Sequence, residues 1–221
     1  MATNYTLNKV SDSVFSVLKD GKQEYELKRI NGHWACTCSG YYYRGTCKHI
    51  DMLKGRVADS ELSLENEVYT SGEIEKIKAA VEPIFEGVNH EYSGDYRRGL
   101  GIVQSAVIIV ECDVNQFKSL VDKLDKERFC VMIQDDNMTR GYFDRVPTIF
   151  LRVDKGRMAT CLLSTTGSAE ENARLRNIAK VMGYRLVSEG LFDGNGKLIE
   201  TPTEKAVYEK LGERYKEPNE R

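Results

Sequence analysis

Four side chains that bind metal ions well lie in two close pairs near the start of the chain. Cys36 and Cys38 are separated by one residue, and Cys47 and His49 repeat this spacing after eight intervening residues. Three thiolates and one imidazole suit a tetrahedral Zn²⁺ ion, and a closed set of four ligands stabilises a small domain. The alternative is that the thiols are inert core residues. We predict a structural zinc ion held by these four residues.

The segments on either side of this cluster have the patterns of a small sheet and a short helix. Upstream, apolar and polar side chains alternate, and two turn-forming pairs interrupt the alternation, Asp-Gly at 20–21 and Asn-Gly at 31–32. Downstream of His49, an apolar stretch begins a helix. We expect three strands and a helix to position the ligands, in a domain formed by residues 1–56.

The ligand pattern, the preceding hairpin and the following helix together resemble the SWIM zinc finger. The resemblance covers residues 1–55 and implies a domain that binds DNA or protein. A polar, charged stretch without sustained periodicity comes next. We therefore predict a linker at residues 57–67.

Aromatic and basic side chains lie between and beside the metal ligands. Four of them are candidates for DNA contact: Tyr41, Tyr43, Arg44 and Lys48. Aromatic rings can stack on bases while cations meet phosphates, so this mixture is typical of a nucleic-acid surface. The alternative is that one or two of the tyrosines simply cover the zinc site.

The composition is that of a folded protein without a membrane segment. Hydrophobic residues make up 41% of the 221 residues and charged residues 30%, which argues against wholesale disorder. The N-terminus lacks a signal-peptide profile and no apolar run is long enough for a membrane span. We expect an intracellular protein, in the cytoplasm or nucleoid, or in a host cell if it is viral. Six cysteines in that setting favour metal binding or burial over disulfides.

Charge is unevenly distributed along the chain, although the net charge is only −2. Residues 1–59 carry nine Lys and Arg against six Asp and Glu, whereas the remainder is acidic. The basic N-terminal region is compatible with DNA binding, and the acidic remainder is compatible with a protein partner.

Helix and strand patterns alternate in the remaining two thirds of the chain. We predict a helix at 71–85 capped by Ser71, a strand at 106–112, a helix at 114–125, a strand at 128–134 and a strand pair at 139–153. Residues 193–196 (Asp-Gly-Asn-Gly) predict a hairpin turn, and a last helix follows with Thr201 or Thr203 as its cap.

Three short motifs occur among these elements. They are GDYRRG at 94–99, TTGS at 165–168 and the final YKEPNER. In this order they resemble the phosphate-binding turn, the palm-to-thumb turn and the closing segment of the family X DNA polymerases, the polymerase beta group of nucleotidyltransferases. The resemblance implies an α+β fold with a palm at 68–164 and an α/β thumb at 165–221.

The resemblance breaks down at the residues that carry the chemistry of that family. Family members hold two magnesium ions with three aspartates, two of them one residue apart after the Arg-Arg-Gly turn. The matching positions are Ser105, Val107 and Ile149, a hydroxyl and two aliphatic side chains that cannot hold magnesium or deprotonate a primer hydroxyl. Asp95 replaces the serine of the phosphate-binding turn and adds negative charge there. We expect no nucleotidyl transfer.

Other carboxylates are candidates for a relocated metal site. Glu111 and Asp113 are one residue apart, but strand spacing places them about 20 Å from the expected position. Further candidate ligands are Asp135, Asp136, Asp144 and Asp154, which no motif of the family relates to the metal position. A nucleotidyltransferase with relocated ligands is therefore one alternative.

The positions that face DNA in the family are better preserved. By the motif match, Arg97 and Arg98 lie in the phosphate-binding turn, and Asn172 and Arg176 lie on the thumb helix beside the duplex. The resemblance implies a non-catalytic DNA-binding factor that holds a gapped or primed duplex for replication or repair proteins. A second alternative is an adapter for protein interaction, including one of viral origin, that docks on a partner through the palm.

Overall fold

The chain divides into two compact units, Met1–Glu67 and Val68–Arg221. The computed structural model describes residues 5–30, 33–38, 41, 47–53, 55–57, 69–124, 128–144 and 146–221. Both helices and sheets are present, so the fold is of the α+β kind that the sequence predicts. In this described part, no helix combines the length and the apolar character needed to cross a bilayer.

The first unit is an antiparallel meander followed by a short helix. Its elements are β1 (Tyr5–Ser11), β2 (Val14–Lys19), β3 (Lys22–Ile30), β4 (His33–Cys36) and α1 (Lys48–Asp51), and the strands pair in chain order. The prediction of three strands was wrong by one, because β1 buries only Leu7 and its apolar alternation is too short to mark a strand. The turn predicted at 31–32 and, apart from Val57, the linker predicted at 57–67 lie outside the described residues.

Trp34 on β4 forms the centre of the core of this unit. Its side chain is 0% exposed, and its ring packs edge-on against Phe15 with ring centroids 5.4 Å apart. Val17 and Leu27 are fully buried as well. Side chains at alternate positions of a strand share one face, so this apolar layer covers one side of the meander.

The second unit begins with a five-stranded mixed sheet and its helices. The elements are β5 (Tyr69–Thr70), α2 (Ser71–Phe85), β6 (His90–Ser93), α3 (Gly94–Arg97), β7 (Ile102–Val103), β8 (Ala106–Glu111), α4 (Val114–Asp122), β9 (Phe129–Gln134), β10 (Met138–Phe143), β11 (Val146–Val153) and α5 (Met158–Thr166). The sheet order is β6-β8-β11-β10-β9, with β8 and β11 parallel and the other neighbours antiparallel. Helix α2 begins at the predicted cap position itself, because Thr70 rather than Ser71 is the cap.

Helices cover both faces of this sheet. On one face, Ile108 and Phe150 pack against α2 and α4, where Phe85 contacts the ring of Phe150 edge-on at 5.7 Å. On the other face, Ile109 of β8 packs against Cys161 of α5. Strand β8 is therefore buried on both sides, which explains its unbroken apolar sequence.

The chain ends in a smaller α/β layer. Its elements are α6 (Ala169–Val181), β12 (Arg185–Val187), β13 (Gly190–Phe192), β14 (Leu198–Ile199), α7 (Glu204–Lys210) and a 3₁₀ turn (Pro218–Glu220). The predicted hairpin turn is present, and the Asp193 carboxylate closes it by accepting the N–H groups of Asn195 and Lys197. Of the two predicted caps of α7, Thr203 is the one that accepts the Ala206 N–H.

Candidate metal centre and nucleic-acid interface

The predicted metal ligands converge in the first unit. Cys36 ends β4, Cys38 follows it, Cys47 precedes α1 and His49 lies within α1. All four side chains are buried, and their ligand atoms lie within 4.8 Å of one another. The Sγ of Cys36 and the Nδ1 of His49 are 3.5 Å apart, close to the edge of about 3.6 Å that a tetrahedral zinc ion imposes between such ligands. The cluster therefore fits a metal ion.

Two thiols of this cluster are hydrogen-bonded to each other, which shifts the pKa of each. The hydrogen bond from Cys36 is the main cause that lowers the pKa of Cys47 to about 5, and the backbone N–H groups of Ile50 and His49 act in the same direction. The same hydrogen bond and burial raise the pKa of Cys36. A thiolate is thus already favoured at Cys47, and thiolate is the form that binds a metal.

Aromatic rings surround the histidine of the cluster. The rings of Tyr5 and Tyr25 lie 4.8 Å and 5.0 Å from the His49 ring, and the Lys48 ammonium lies 3.8 Å from the centre of the Tyr5 ring. The His49 Nε2 is buried and has no hydrogen-bond partner among the described residues, whereas Nδ1 faces the sulfur of Cys36. Sequence reasoning missed Tyr5 and Tyr25, because neither is adjacent to a ligand in the chain.

The predicted DNA-contacting residues of this unit are only partly described. Tyr41 is 2% exposed, and its backbone N–H donates to the Cys38 sulfur at 3.3 Å. Its side chain therefore lies in the core beside the cluster, as in the alternative that a tyrosine covers the site. Lys48 is exposed, while Tyr43 and Arg44 lie outside the described residues.

In the second unit, two charged side chains of the GDYRRG turn pair with each other. Arg98 forms an ion pair with Asp95, and the other oxygen of Asp95 accepts the Gln104 N–H at 3.2 Å. Gly94 has a φ of +72°, and a Cβ at this position would lie 3.6 Å from Val107. The turn therefore packs directly beside β8, and Asp95 neutralises the charge that Arg98 would offer to a phosphate.

Two of the three positions that the motif match assigns to catalytic aspartates lie on neighbouring strands. Val107 of β8 pairs directly with Ile149 of β11 in the parallel ladder, and with Ser93 of β6 on its other side. Ser105 lies two residues before Val107 and directly precedes β8. Their correspondence to the aspartates of the family stays a prediction. Among the described residues, the Cys/His cluster is the one group of three or more potential ligands that meets the geometry of a metal site.

The alternative carboxylates are engaged in local structure. Glu111 accepts from the Asn89 side chain at 2.9 Å and from the Gly156 N–H at 2.7 Å, while Asp113 caps α4. The remaining candidates also have nearby partners: Asp135 accepts two backbone N–H groups of its own turn, Asp136 pairs with Lys118, Asp144 with Arg128, and Asp154 with Arg152. Each of these carboxylates is therefore already engaged by a nearby protein group.

Arg97 points into the protein rather than away from it. Its guanidinium forms two hydrogen bonds with Glu204 at 2.6 and 3.1 Å, and a third with Thr166 at 3.0 Å. Glu204 is 6% exposed and also accepts from Arg221, whose side chain is fully buried, at 2.5 Å. Thr166 in turn bonds Ser93 at 2.9 Å. This network joins the GDYRRG turn to the first turn of α7.

The two predicted residues on α6 have different environments. Asn172 donates its side-chain amide to the Ser164 carbonyl at 2.7 Å, across the TTGS turn. Arg176 is exposed, and its side chain has no ion pair or hydrogen bond within the part of the chain that the structure describes. Asn172 thus stabilises the turn, and Arg176 presents its charge to solvent.

Comparison with known proteins supports a polymerase-like assignment for the C-terminal part of the chain. Rat (Rattus norvegicus) DNA polymerase lambda is 39% identical to the chain over 80 residues, which cover 31% of this chain and 14% of that protein. Residues 161–221 match the DNA polymerase beta thumb family. The first unit and the whole five-stranded sheet of the second unit lie outside residues 161–221. The chain therefore carries a family X polymerase-like part, with a thumb of the polymerase beta type at its C-terminal end.

Proposed function

We propose that this chain is a zinc-dependent DNA-binding protein built on a family X polymerase scaffold without nucleotidyl transfer. The observation that carries the proposal is the pairing of Val107 with Ile149 beside the GDYRRG turn. In the motif match, these two adjacent aliphatic side chains stand where the family has carboxylates. Retained architecture with substituted ligands favours a role in binding, as an accessory factor in DNA replication or repair.

The first unit contributes a SWIM-type finger at residues 1–56. Its four buried ligands leave no position for a substrate, so zinc would have a structural role. When bound, the ion would fix β4 against α1 and neutralise the thiolates. This finger and the polymerase-like palm (68–164) and thumb (165–221) form the proposed domain organisation.

The proposed DNA contacts are the exposed cations rather than the buried ones. Arg176 on α6 and Lys48 on α1 are available to phosphates, and Arg44 and Tyr43 remain proposed contacts of the finger. Arg97, Arg98 and Asn172 are held by protein groups, so we assign them to shaping the turns beside the duplex. The proposed ligand is a gapped or primed duplex, and a replication or repair protein is the proposed partner.

Fluorescence anisotropy with single-stranded, duplex and gapped DNA at two salt concentrations tests the binding. We expect the tightest binding to gapped or primed duplex, with an affinity that falls as salt rises because phosphate contacts release counterions. Arg176→Ala should weaken binding and reduce the slope of log affinity against log salt by about one. Arg214→Ala is a matched control, since Arg214 is 86% exposed but lies near the C-terminal turn. Absence of binding to every form at low salt would favour the adapter for protein interaction.

A primer-extension assay tests the absence of catalysis. With magnesium or manganese and all four nucleotides, we expect no incorporation. Extension that disappears in Glu111→Ala or Asp113→Ala would instead support a transferase with relocated ligands, and would contradict the structural roles of these carboxylates.

A further inference from the structure

Tyr5, Tyr25 and His49 form an aromatic cluster at the boundary between the metal ligands of the first unit and solvent. The His49 ring lies 4.8 Å from that of Tyr5 and 5.0 Å from that of Tyr25. The Lys48 ammonium lies 3.8 Å from the centre of the Tyr5 ring. His49 is 2% exposed, whereas both tyrosines are half-buried. The tyrosines therefore present part of their side chains to water beside the metal cluster.

The sheet places the two tyrosines on one face. Val17 of β2 pairs with Leu7 of β1 on one side and with Tyr25 of β3 on the other. Tyr5 lies two residues before Leu7, and residues that pair directly or lie two apart on a strand share a face. Among the described residues, no ring other than that of His49 packs against Tyr25. Since Tyr25 is half-buried rather than enclosed, part of its ring remains open to a ligand.

The charges around this cluster favour an anionic ligand. Within the described part of the chain, neither Lys48 nor Arg56 forms an ion pair with an acid, and Arg56 is held beside β1 by its hydrogen bond to the Leu7 carbonyl at 2.9 Å. The described acids of the unit all have contacts of their own, which are those of Asp12 with Lys9, Glu24 with Lys19, Glu26 with Lys28, and further ones of Asp20 and Asp51. Lys48 and Arg56 thus lie beside β1 without a paired carboxylate.

We propose that Tyr5, Tyr25, Lys48 and Arg56 form a platform that binds single-stranded nucleic acid, with a base stacked on Tyr25 and phosphates at the two cations. Resting on the proposed DNA-binding function, this platform would hold the unpaired strand of a gapped or primed duplex. Only an unpaired strand can turn the face of a base toward a protein, whereas a duplex offers base edges in its grooves. Because an aromatic face accepts any base, the binding should not depend on sequence.

Fluorescence anisotropy with a labelled thymidine strand of about 12 nucleotides tests the platform on the zinc-loaded full chain. Tyr25→Leu removes the ring but retains an apolar side chain against His49, and it should weaken binding about tenfold because one base loses its stacking partner. Tyr25→Phe retains the ring and should bind as the unmodified chain does. Zinc content and the fluorescence of the buried Trp34 verify that the finger of each variant stays folded.

The salt dependence of the same binding tests the cations. Lys48→Gln should reduce the slope of log affinity against log salt by about 0.7, the contribution of one phosphate contact on a single strand. Lys28→Gln is the matched control, since Lys28 is exposed on the same sheet but lies on the opposite face from Tyr25, three residues earlier on β3. It should leave the slope unchanged. An unchanged slope in Lys48→Gln would remove this residue from the platform and overturn the proposed phosphate contact.

A strand of the same length that lacks its bases provides a measurement that does not depend on a variant. It carries the same phosphates, so the unmodified chain should bind it at least about tenfold more weakly than the thymidine strand only if bases stack on the protein. This difference should shrink in Tyr25→Leu. Equal affinity of the unmodified chain for the two strands, or unchanged binding of the thymidine strand in Tyr25→Leu, would overturn the platform.

Failure of the platform can be told apart from failure of the proposed function. If the chain binds gapped duplex but Tyr25→Leu binds every form of DNA as the unmodified chain does, the platform is wrong and the DNA-binding function stands. If the unmodified chain binds no DNA at low salt, both are wrong, and a protein partner is favoured for this face.

Discussion

Cys47 is both a candidate metal ligand and an acceptor of backbone hydrogen bonds at the start of α1. It lies directly before α1, where the N–H groups of His49 and Ile50 reach its sulfur and help to lower its pKa. A thiolate at a helix N-terminus is stabilised by these donors and binds soft cations well. The residue is therefore a suitable position at which to test the metal site.

Cys47→Ser should abolish metal binding and unfold the first unit. A serine hydroxyl preserves the size of the side chain but is a poor ligand for zinc, and structural zinc contributes on the order of 10 kcal/mol to the folding of such small domains. Elemental analysis after dialysis should give one zinc per unmodified chain and almost none in the variant. Cys130→Ser, a change at a thiol outside the cluster, is the control and should retain the ion. Full zinc content in Cys47→Ser would show that the ligand assignment is wrong.

Glu171 is the residue whose charge state should most affect stability at low pH. Its side chain is 6% exposed, and hydrogen bonds from Arg174, Lys216 and Tyr208 hold its pKa down at about 2, with Arg174 the main cause. A carboxyl whose folded pKa is depressed stabilises the fold above its unfolded pKa, near 4.5. That stabilisation, about 3 kcal/mol at most, is lost as the pH falls from 4.5 toward 2.

Glu171→Gln should therefore be clearly destabilising at pH 7 and nearly neutral at pH 2. Denaturant unfolding over this pH range measures the difference in unfolding free energy between variant and unmodified chain. The exposed neighbour Glu170 provides the matched control, since Glu170→Gln should have little effect at any pH. A difference for Glu171→Gln that does not shrink as the pH falls would contradict the assigned role of the carboxylate.

The sequence predicted the metal cluster but not the roles of the two turn arginines. Two ligand pairs with short internal spacing define a cluster locally, so no knowledge of the fold was needed. Arg97, by contrast, contacts Glu204, which lies 107 residues later in the chain, and no local sequence pattern indicates that contact. A glutamate in the first turn of a helix is ordinarily an exposed partner of the helix dipole. Its burial between two arginines follows only from the packing of the second unit.

At the scale of elements, α7 is held in place by its cap, by apolar packing and by a charge network. Thr203 caps its first turn, and Val207 and Tyr208 anchor it in the thumb core. Glu204 adds a link from this helix to the GDYRRG turn and to the buried Arg221. The five-stranded sheet and the thumb-like layer are therefore connected by a buried charge network as well as by the chain.

Glu204→Gln should destabilise the second unit by about 3 kcal/mol, because loss of the carboxylate leaves two arginines without their buried counter-charge. Glu209→Gln on the same helix is the control. Its ion pair with Lys205 is 3.9 Å long and both side chains are more than half exposed, so the change should cost less than about 0.5 kcal/mol. Thermal and denaturant unfolding measure both values. Equal losses of unfolding free energy in the two variants would show that the buried network stabilises the second unit no more than an exposed ion pair does.

Strand and helix prediction succeeded where local chemistry was strong. The hairpin at 193–196 was predictable because Asp193 closes the turn with its own carboxylate. Strand β1 was missed because it buries a single side chain, Leu7, and gains most of its order from pairing with β2. The parallel register of β8 with β11 could not be read from periodicity, since β8 is apolar on both faces.

At the scale of the whole molecule, the two units should depend on metal to different degrees. The first unit is a four-stranded meander with a short helix, and its small core is joined to α1 by the four ligands, so it should depend strongly on the ion. The second unit has its own extensive core on both faces of a five-stranded sheet. Loss of metal should therefore unfold the first unit and leave the second one folded.

Trp34 makes this prediction measurable, because it is the only tryptophan of the chain and is 0% exposed in the first unit. A zinc chelator should shift its fluorescence emission to longer wavelength as the indole meets water. The main thermal transition followed by far-UV circular dichroism, which reports mostly on the second unit, should keep its midpoint. Restoring zinc should reverse the fluorescence change in the unmodified chain and have no effect in Cys47→Ser. If chelation lowered the midpoint of the main transition together with the fluorescence change, the two units would have to fold as one.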